Sequence, residues 1–108
     1  MALKLEFHPE ARIDLLKKME YVLQQFGQRD AEKAFQKVKY GISQLCEYPK
    51  SGVLMPDLFY NGNEVRVLHI RQLSIVYTSD TEHLYIVSIW NNYQAPERLP
   101  ETIASRSV

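Results

Sequence analysis

The second half of the chain contains three short runs rich in β-branched and aromatic residues, and their spacing limits how the chain can fold. They are VRVLHI at 65–70, LSIVYT at 73–78 and LYIVSIW at 84–90, separated by two and by five residues. Runs of this composition predict β-strands. Connections this short do not join parallel neighbours, so we predict an antiparallel meander of three strands.

Two amphipathic helices are predicted in the first half. Apolar residues recur at helical spacing over residues 9–26, where Pro9 suits a first helical turn and Gly27 marks the end. A second apolar stripe runs over residues 30–47, with Asp30 as its predicted N-cap. Because only a few residues separate the two helices, we expect an antiparallel helical hairpin.

A short strand and two irregular segments complete the predicted fold. Residues 3–7 alternate apolar with polar side chains, which indicates a half-buried strand. Residues 48–63 contain two prolines and two glycines and predict an irregular connector. The fold class is therefore α+β: an N-terminal strand, an α-helical hairpin covering one face of the sheet, and the three-stranded meander. We predict a single domain over residues 1–99 and a polar, frayed C-terminal tail over residues 100–108.

The charge balance is not that of a protein that binds free nucleic acid. Thirteen Lys and Arg residues match thirteen Asp and Glu residues. Residues 1–50 carry nine basic and seven acidic side chains, and residues 51–108 carry four and six, so the halves are +2 and −2. Nucleic-acid binders draw much of their affinity from clustered Lys and Arg, and the sequence shows no such cluster. We therefore expect no direct binding of free nucleic acid.

The cysteine and histidine content predicts a cytoplasmic protein without metal or cofactor. Cys46 is the single cysteine and cannot form an internal disulfide, which suits a reducing compartment; its place in the second helix predicts a small core residue. The cysteine and the three histidines lack the spacing of a metal site. No stretch approaches the roughly 18 apolar residues that span a bilayer, so no membrane association is expected.

Five short motifs occur in a particular order along residues 3–99. They are FHPEA with a following DL at 7–15, an L…YP…G pattern at 45–52, RVL at 66–68, IVY at 75–77, and IVSIW at 86–90 followed by a Pro-ended tail. In this order and spacing they resemble the RelE/ParE toxin superfamily, and more closely its ParE-like, plasmid-stabilisation members.

The resemblance implies the toxin of a bacterial type II toxin–antitoxin module, which arrests growth when released and is neutralised by a cognate antitoxin. RelE-like members cut mRNA on the ribosome, ParE-like members poison DNA gyrase, and some members show no toxicity. An extended or helical antitoxin segment is expected to lie across the sheet and the hairpin groove. The sequence leaves open whether the chain also forms a homo-oligomer.

For the nuclease branch, the candidate catalytic residues are Arg66, Arg71 and Tyr93. Cleaving RNA through its own 2′-hydroxyl needs an acid–base pair and cations that stabilise the phosphorane. Asn91 stands where the family often has a histidine, and Tyr93 or Gln94 where an arginine is common. Asparagine exchanges no proton near neutral pH, and neither tyrosine nor glutamine carries positive charge there. We therefore predict a non-enzymatic toxin that binds a protein such as gyrase, with a ribosome-dependent endoribonuclease and a non-toxic member as alternatives.

Structural roles are also predicted for three side chains, and two of them have an alternative functional interpretation. Arg66 alternates with the valines of its strand and is either a salt-bridged or solvated surface residue or a contact to phosphate or a partner. His69 lies on the valine face, where a histidine is more often hydrogen-bonded within the fold than catalytic. His8 precedes Pro9 and is expected to cap the first helix.

Overall fold

The computed structural model describes residues 2–70, 73–91 and 99–106, with Asn91 described in its backbone only. In chain order the elements are β1 (Lys4–Phe7), α1 (Pro9–Phe26), α2 (Gln28–Glu47), β2 (Val53–Tyr60), β3 (Asn63–Ile70), β4 (Leu73–Ser79), β5 (His83–Asn91) and α3 (Leu99–Arg106). The strands form one five-stranded sheet in the order β1-β5-β4-β3-β2. Strands β2 to β5 pair as an antiparallel meander, and β1 joins the edge parallel to β5. This arrangement confirms the predicted α+β class and its order of elements.

A single residue, Gly27, connects the two helices of the hairpin. The ring Nδ1 of His8 accepts a hydrogen bond from the Glu10 backbone N–H at 3.0 Å, so His8 caps α1 as predicted. Gly27 ends α1 with φ of 91°, a conformation that side chains disfavour, and α2 begins at the next residue. The second helix therefore starts at Gln28, two residues before the predicted cap at Asp30.

The main core lies between the hairpin and one face of the sheet. The helices contribute Ala11, Val38, Ile42, Leu45 and Cys46, and the sheet contributes Ile75, Tyr77, Leu84, Ile86 and Ile89. Cys46 is a buried free thiol whose pKa is raised, mainly by burial and also by the nearby Glu47 carboxylate. It is thus the small core residue that its helical position predicted. No helix among the described residues is both long enough and apolar enough to cross a membrane.

The predicted irregular connector is wrong, because it contains strand β2. Val53 and Leu54 pair with β3, and so do Phe59 and Tyr60, while the register shifts in between. The shift coincides with Pro56, and Asp57 has φ of 68°. Proline is tolerated on an edge strand at a bulge, so the signals of irregularity mark a bulge rather than a loop. The meander consequently has four strands instead of three.

The polar C-terminal tail contains a helix that the sequence did not predict, since Leu99–Arg106 form helix α3; the last residues, 107–108, lie outside the described residues. Leu99 and Ile103, four residues apart, are buried against the second face of the sheet. There they join a second buried cluster that contains Tyr60, Val65, Val67, Val76 and Val87. Helix α3 therefore covers part of the sheet face that the hairpin leaves open.

An ion pair closes the edge of β5 beyond the end of β1. The Arg106 guanidinium lies 2.8 Å from the Asp14 carboxylate and also donates to the Val87 carbonyl at 2.9 Å. The same carboxylate oxygen accepts from the Ser88 hydroxyl at 3.3 Å and from the Ile89 N–H at 3.4 Å. These side chains thus supply the donor and the acceptor that a neighbouring strand would otherwise provide.

Candidate functional site

An open groove runs along α2 on its side toward β3, and we call it the α2 groove. Its volume is about 1200 Å³. Its buried and half-buried lining is Gly41, Gln44, Leu45, Leu68 and Ile70, together with exposed residues that include Arg29, Lys33, Lys37 and Tyr40 of α2 and His69 of β3. The α2 groove is therefore mostly apolar at its base and polar along one side.

Gly41 makes the close approach of α2 to β3 possible. A Cβ at this position would overlap the end of the Ile70 side chain and press on the Leu68 side chain. Glycine in a helix interior costs about 1 kcal/mol relative to alanine. At this position the missing side chain lets two apolar residues of β3 form the base of the α2 groove.

Three basic residues form one side of the α2 groove. Arg29, Lys33 and Lys37 are spaced four residues apart, so they lie on the same face of α2. In the part of the chain that the structure describes, none of the three forms a salt bridge. Glu32 is an acidic residue in the same lining. We call Arg29, Lys33 and Lys37 the basic rim.

The α2 groove extends toward the turn of the hairpin. An adjoining cavity of about 350 Å³ shares Lys37 and Ile70 with it. Apolar residues of α1 line this extension, among them Met19, Val22 and Phe26. The two cavities together form a surface that follows α2 from its C-terminal half to the tip of the hairpin.

Of the three nuclease candidates, only Arg66 is described by the structure. Its guanidinium Nη1 donates to the carbonyl oxygens of Gly52 at 2.9 Å and of Lys50 at 3.2 Å. Arg71 and Tyr93 lie outside the described residues. The described contacts of Arg66 are therefore to the backbone that leads into β2.

A buried tyrosine holds the same segment. The Tyr77 hydroxyl donates to the Pro49 carbonyl at 2.7 Å and accepts from the Gly52 N–H at 3.0 Å. Burial raises the pKa of Tyr77, while the hydrogen bond from Gly52 and the charge of Arg66 act in the opposite direction. A Cβ on Gly52 would overlap the Tyr77 hydroxyl, which explains glycine at the end of the L…YP…G motif.

His69 and His83 contact polar side chains of the sheet and its turns. His69 Nδ1 lies 2.8 Å from the Ser74 hydroxyl of the paired strand, which confirms the prediction of a hydrogen bond within the fold. The two ring nitrogens of His83 lie 3.8 Å from the Glu6 carboxylate and 3.5 Å from the Asp80 carboxylate. Within residues 2–70, 73–91 and 99–106, no three His, Cys, Asp or Glu side chains are grouped as metal ligands.

Comparison with known proteins identifies the family. The family described as "ParE toxin of type II toxin-antitoxin system, parDE" matches residues 5–96. A solved structure titled "Chromosomal ParDE TA system from P. aeruginosa" is similar in fold, with a TM-score of 0.67 and 20% sequence identity, covering 83% of this chain and 96% of that chain. No curated protein matches the sequence significantly. The chain therefore belongs to the ParE toxin family of type II toxin–antitoxin systems.

Proposed function

We propose that this chain is a toxin that acts in the bacterial cytoplasm by binding a protein target, with DNA gyrase the first candidate, and that a cognate antitoxin neutralises it. Membership of the ParE toxin family supports the toxin role. The choice of protein binding over RNA cleavage rests on the hydrogen bonds of Arg66. Its Nη1 donates to two backbone carbonyls and so holds the loop before β2, a structural role that requires no phosphate.

Catalysis of RNA cleavage requires groups that exchange protons and cations placed around one phosphate. The described histidine nearest to Arg66 along its strand, His69, is hydrogen-bonded to Ser74. Sequence adds that Asn91 and Tyr93 stand where the nuclease branch commonly has a histidine and an arginine. Binding of a protein partner needs none of these groups, and the α2 groove supplies an open surface for it.

The experiment that tests this proposal measures growth, message integrity and DNA damage after brief induced expression of the full chain. Primer extension on a translated reporter mRNA reports cleavage, and a supercoiling assay with purified gyrase reports inhibition. We expect growth arrest, intact message and gyrase inhibition. Cuts that disappear when translation is blocked would establish a ribosome-dependent endoribonuclease instead. Normal growth with intact message would identify a non-toxic member and also overturn the proposal.

Neutralisation is tested separately by co-expression. The open reading frame beside this one in the genome is expressed together with the chain. We expect restored growth and co-purification of the two proteins, because a toxin of this family requires a partner that occupies its working surface. The matched control co-expresses the same neighbour with a frameshift. Arrest that persists in both cultures would contradict neutralisation by this neighbour.

A further inference from the structure

We infer that helix α3 is a strap that undocks from the sheet as one unit while the rest of the fold stays intact, and that its docking is controlled from helix α1 through Asp14. This coupling within the chain goes beyond the proposed function, which concerns what the chain binds. Three features of the molecule support it: the contacts of α3, the division of the core into two clusters, and the position of Asp14.

Helix α3 is too short to persist without its contacts to the sheet. It spans eight residues, Leu99–Arg106, whereas isolated helices shorter than about 12–15 residues are marginal in water. Its buried residues are Leu99 and Ile103. Ordering the backbone of a segment costs conformational entropy at every residue, and two buried side chains offset only part of that cost. The polar contacts of α3 therefore decide whether it is docked.

Those polar contacts converge on the last residue of α3. The Tyr60 hydroxyl of β2 donates to the Arg106 carbonyl at 2.8 Å. The Arg106 guanidinium donates to the Asp14 carboxylate at 2.8 Å and to the Val87 carbonyl at 2.9 Å. We call these contacts of Arg106 the clasp. They hold the helix from two sides, through its backbone to β2 and through its side chain to α1 and β5.

The division of the core allows α3 to leave without unfolding the sheet. The main cluster lies between the hairpin and one sheet face, and its described members include no residue of α3. Leu99 and Ile103 belong to the second cluster, on the opposite face. Strands β3 to β5 pair with one another and not with α3, so their ladders are complete in either state of the strap. Proteins open locally in such units, where few buried contacts hold a segment to the rest.

Asp14 places control of the clasp on the hairpin. Its carboxylate pairs with Arg106, and the same oxygen accepts hydrogen bonds from Ser88 and Ile89 of β5. The Asp14 side chain is 23% exposed, so solvent cations and changes in α1 reach the clasp directly. Two sites are coupled when both bias one element that has two states. Here the element is α3, docked or undocked, and the sites are α1 and the opposite face of the sheet.

Hydrogen exchange of the full chain, followed by mass spectrometry, tests the undocking. We expect the protected amides of α3 to exchange together, and at least about tenfold faster than those of β4 in the centre of the sheet. Acrylamide quenching of Trp90 is a second readout, because the single tryptophan of the chain packs against the cluster to which α3 contributes. Exchange of α3 no faster than that of β4 would overturn the inference, since α3 would then open only with the whole fold.

Two variants test the control by Asp14. Asp14→Asn removes one charge of the clasp, so we expect α3 to exchange roughly tenfold faster and Trp90 to become more accessible to acrylamide. Ile42→Val is the matched control, because it destabilises the fold from the main cluster. It should accelerate exchange in β4 and leave exchange in α3 unchanged, since undocking of the strap does not disturb that cluster. Thermal melting verifies that both variants are folded.

A third perturbation needs no variant. Salt weakens a partly exposed ion pair, so α3 of the unmodified chain should exchange faster in about 1 M than in about 0.1 M sodium chloride. Equal acceleration of α3 by Asp14→Asn and by Ile42→Val would overturn the inference, because α3 would then belong to the global unfolding unit. Exchange in α3 that responds neither to Asp14→Asn nor to salt would also overturn it, because the clasp would then not control the strap.

Discussion

Breaking the ion pair between Asp14 and Arg106 should cost more stability than the loss of any ordinary surface salt bridge. The two charged groups lie 2.8 Å apart, and their side chains are 13% exposed for Arg106 and 23% exposed for Asp14. Exposed pairs contribute about 0–1 kcal/mol, whereas removing one partner of a buried pair costs about 3–5 kcal/mol. This pair lies between those limits, so we expect Asp14→Asn to lower the free energy of unfolding by about 2 kcal/mol.

The expected loss is measurable by thermal and by denaturant unfolding. For a domain of this size, 1 kcal/mol shifts the melting temperature by about 4 °C, so Asp14→Asn should melt about 8 °C lower than the unmodified chain. Arg106→Met is the second arm, because it also removes the hydrogen bond to the Val87 carbonyl. Glu10→Gln is the matched control, since it removes an exposed carboxylate from the same helix.

A double-mutant cycle isolates the interaction itself. If the two side chains act as a pair, the double variant should be less destabilised than the sum of the single variants by at least about 1 kcal/mol. Hydrogen exchange at the Ile89 amide gives an independent measure, because that N–H donates to the Asp14 carboxylate. A single-variant loss no greater than that of Glu10→Gln, or a coupling energy near zero, would refute the reasoning.

Further predictions concern the loop before β2, the helix interior and alkaline pH. Gly52→Ala should destabilise the fold by about 1–3 kcal/mol, because its Cβ meets the Tyr77 hydroxyl, which two hydrogen bonds hold in place. Gly41→Ala should change stability by less than about 1 kcal/mol, because its Cβ meets only the ends of the flexible Ile70 and Leu68 side chains and the gain in helix propensity offsets their displacement. Denaturant unfolding compares the two. Arg66→Ala should lower the melting temperature, because it removes the two hydrogen bonds to the loop before β2. Reporter mRNA should be equally intact with the variant and with the unmodified chain. If the unmodified chain cuts the mRNA and the variant does not, Arg66 has a nuclease role. Burial is the main cause that raises the pKa of Tyr60 to about 12 in the folded protein. The contribution of the neutral Tyr60 to the free energy of unfolding is therefore complete below about pH 10 and is lost as pH rises toward 12. Unfolding measured at pH 9 to 11 should therefore show falling stability, and Tyr60→Phe should flatten the slope.

The hairpin and the strands from β3 to β5 are predictable from sequence because each carries a complete local signal. Apolar residues at helical spacing fill several turns of each helix, and the three strand-like runs are bounded by short polar connections. Strand β2 had a signal too: Asn61-Gly62 is typical of a two-residue hairpin turn, and both residues have positive φ. The bulge with Pro56 obscured it, because proline also indicates a loop.

The remaining features depend on contacts that the sequence does not encode locally. Helix α3 buries only Leu99 and Ile103, and two apolar residues are too few to show a helical period. Asp14 and Arg106 are 92 positions apart, and neither has a sequence neighbour that identifies its partner. Likewise, the basic rim borders an apolar groove because Gly41 allows β3 to approach the same side of α2. Each of these features requires the tertiary fold.

The parallel pairing of β1 with β5 determines how late during synthesis the sheet can be completed. Lys4 pairs with His83, so the first strand waits for a neighbour made 79 residues later. Ribosomes add about 5–20 residues per second, which puts roughly 4–16 s between the synthesis of the two strands. During that interval the sheet on which the hairpin packs is incomplete. Strand β3, which forms the base of the α2 groove, still lacks part of the sheet formed by β4 and β5. The sheet that supports the hairpin can therefore be complete only after β5 has been synthesised.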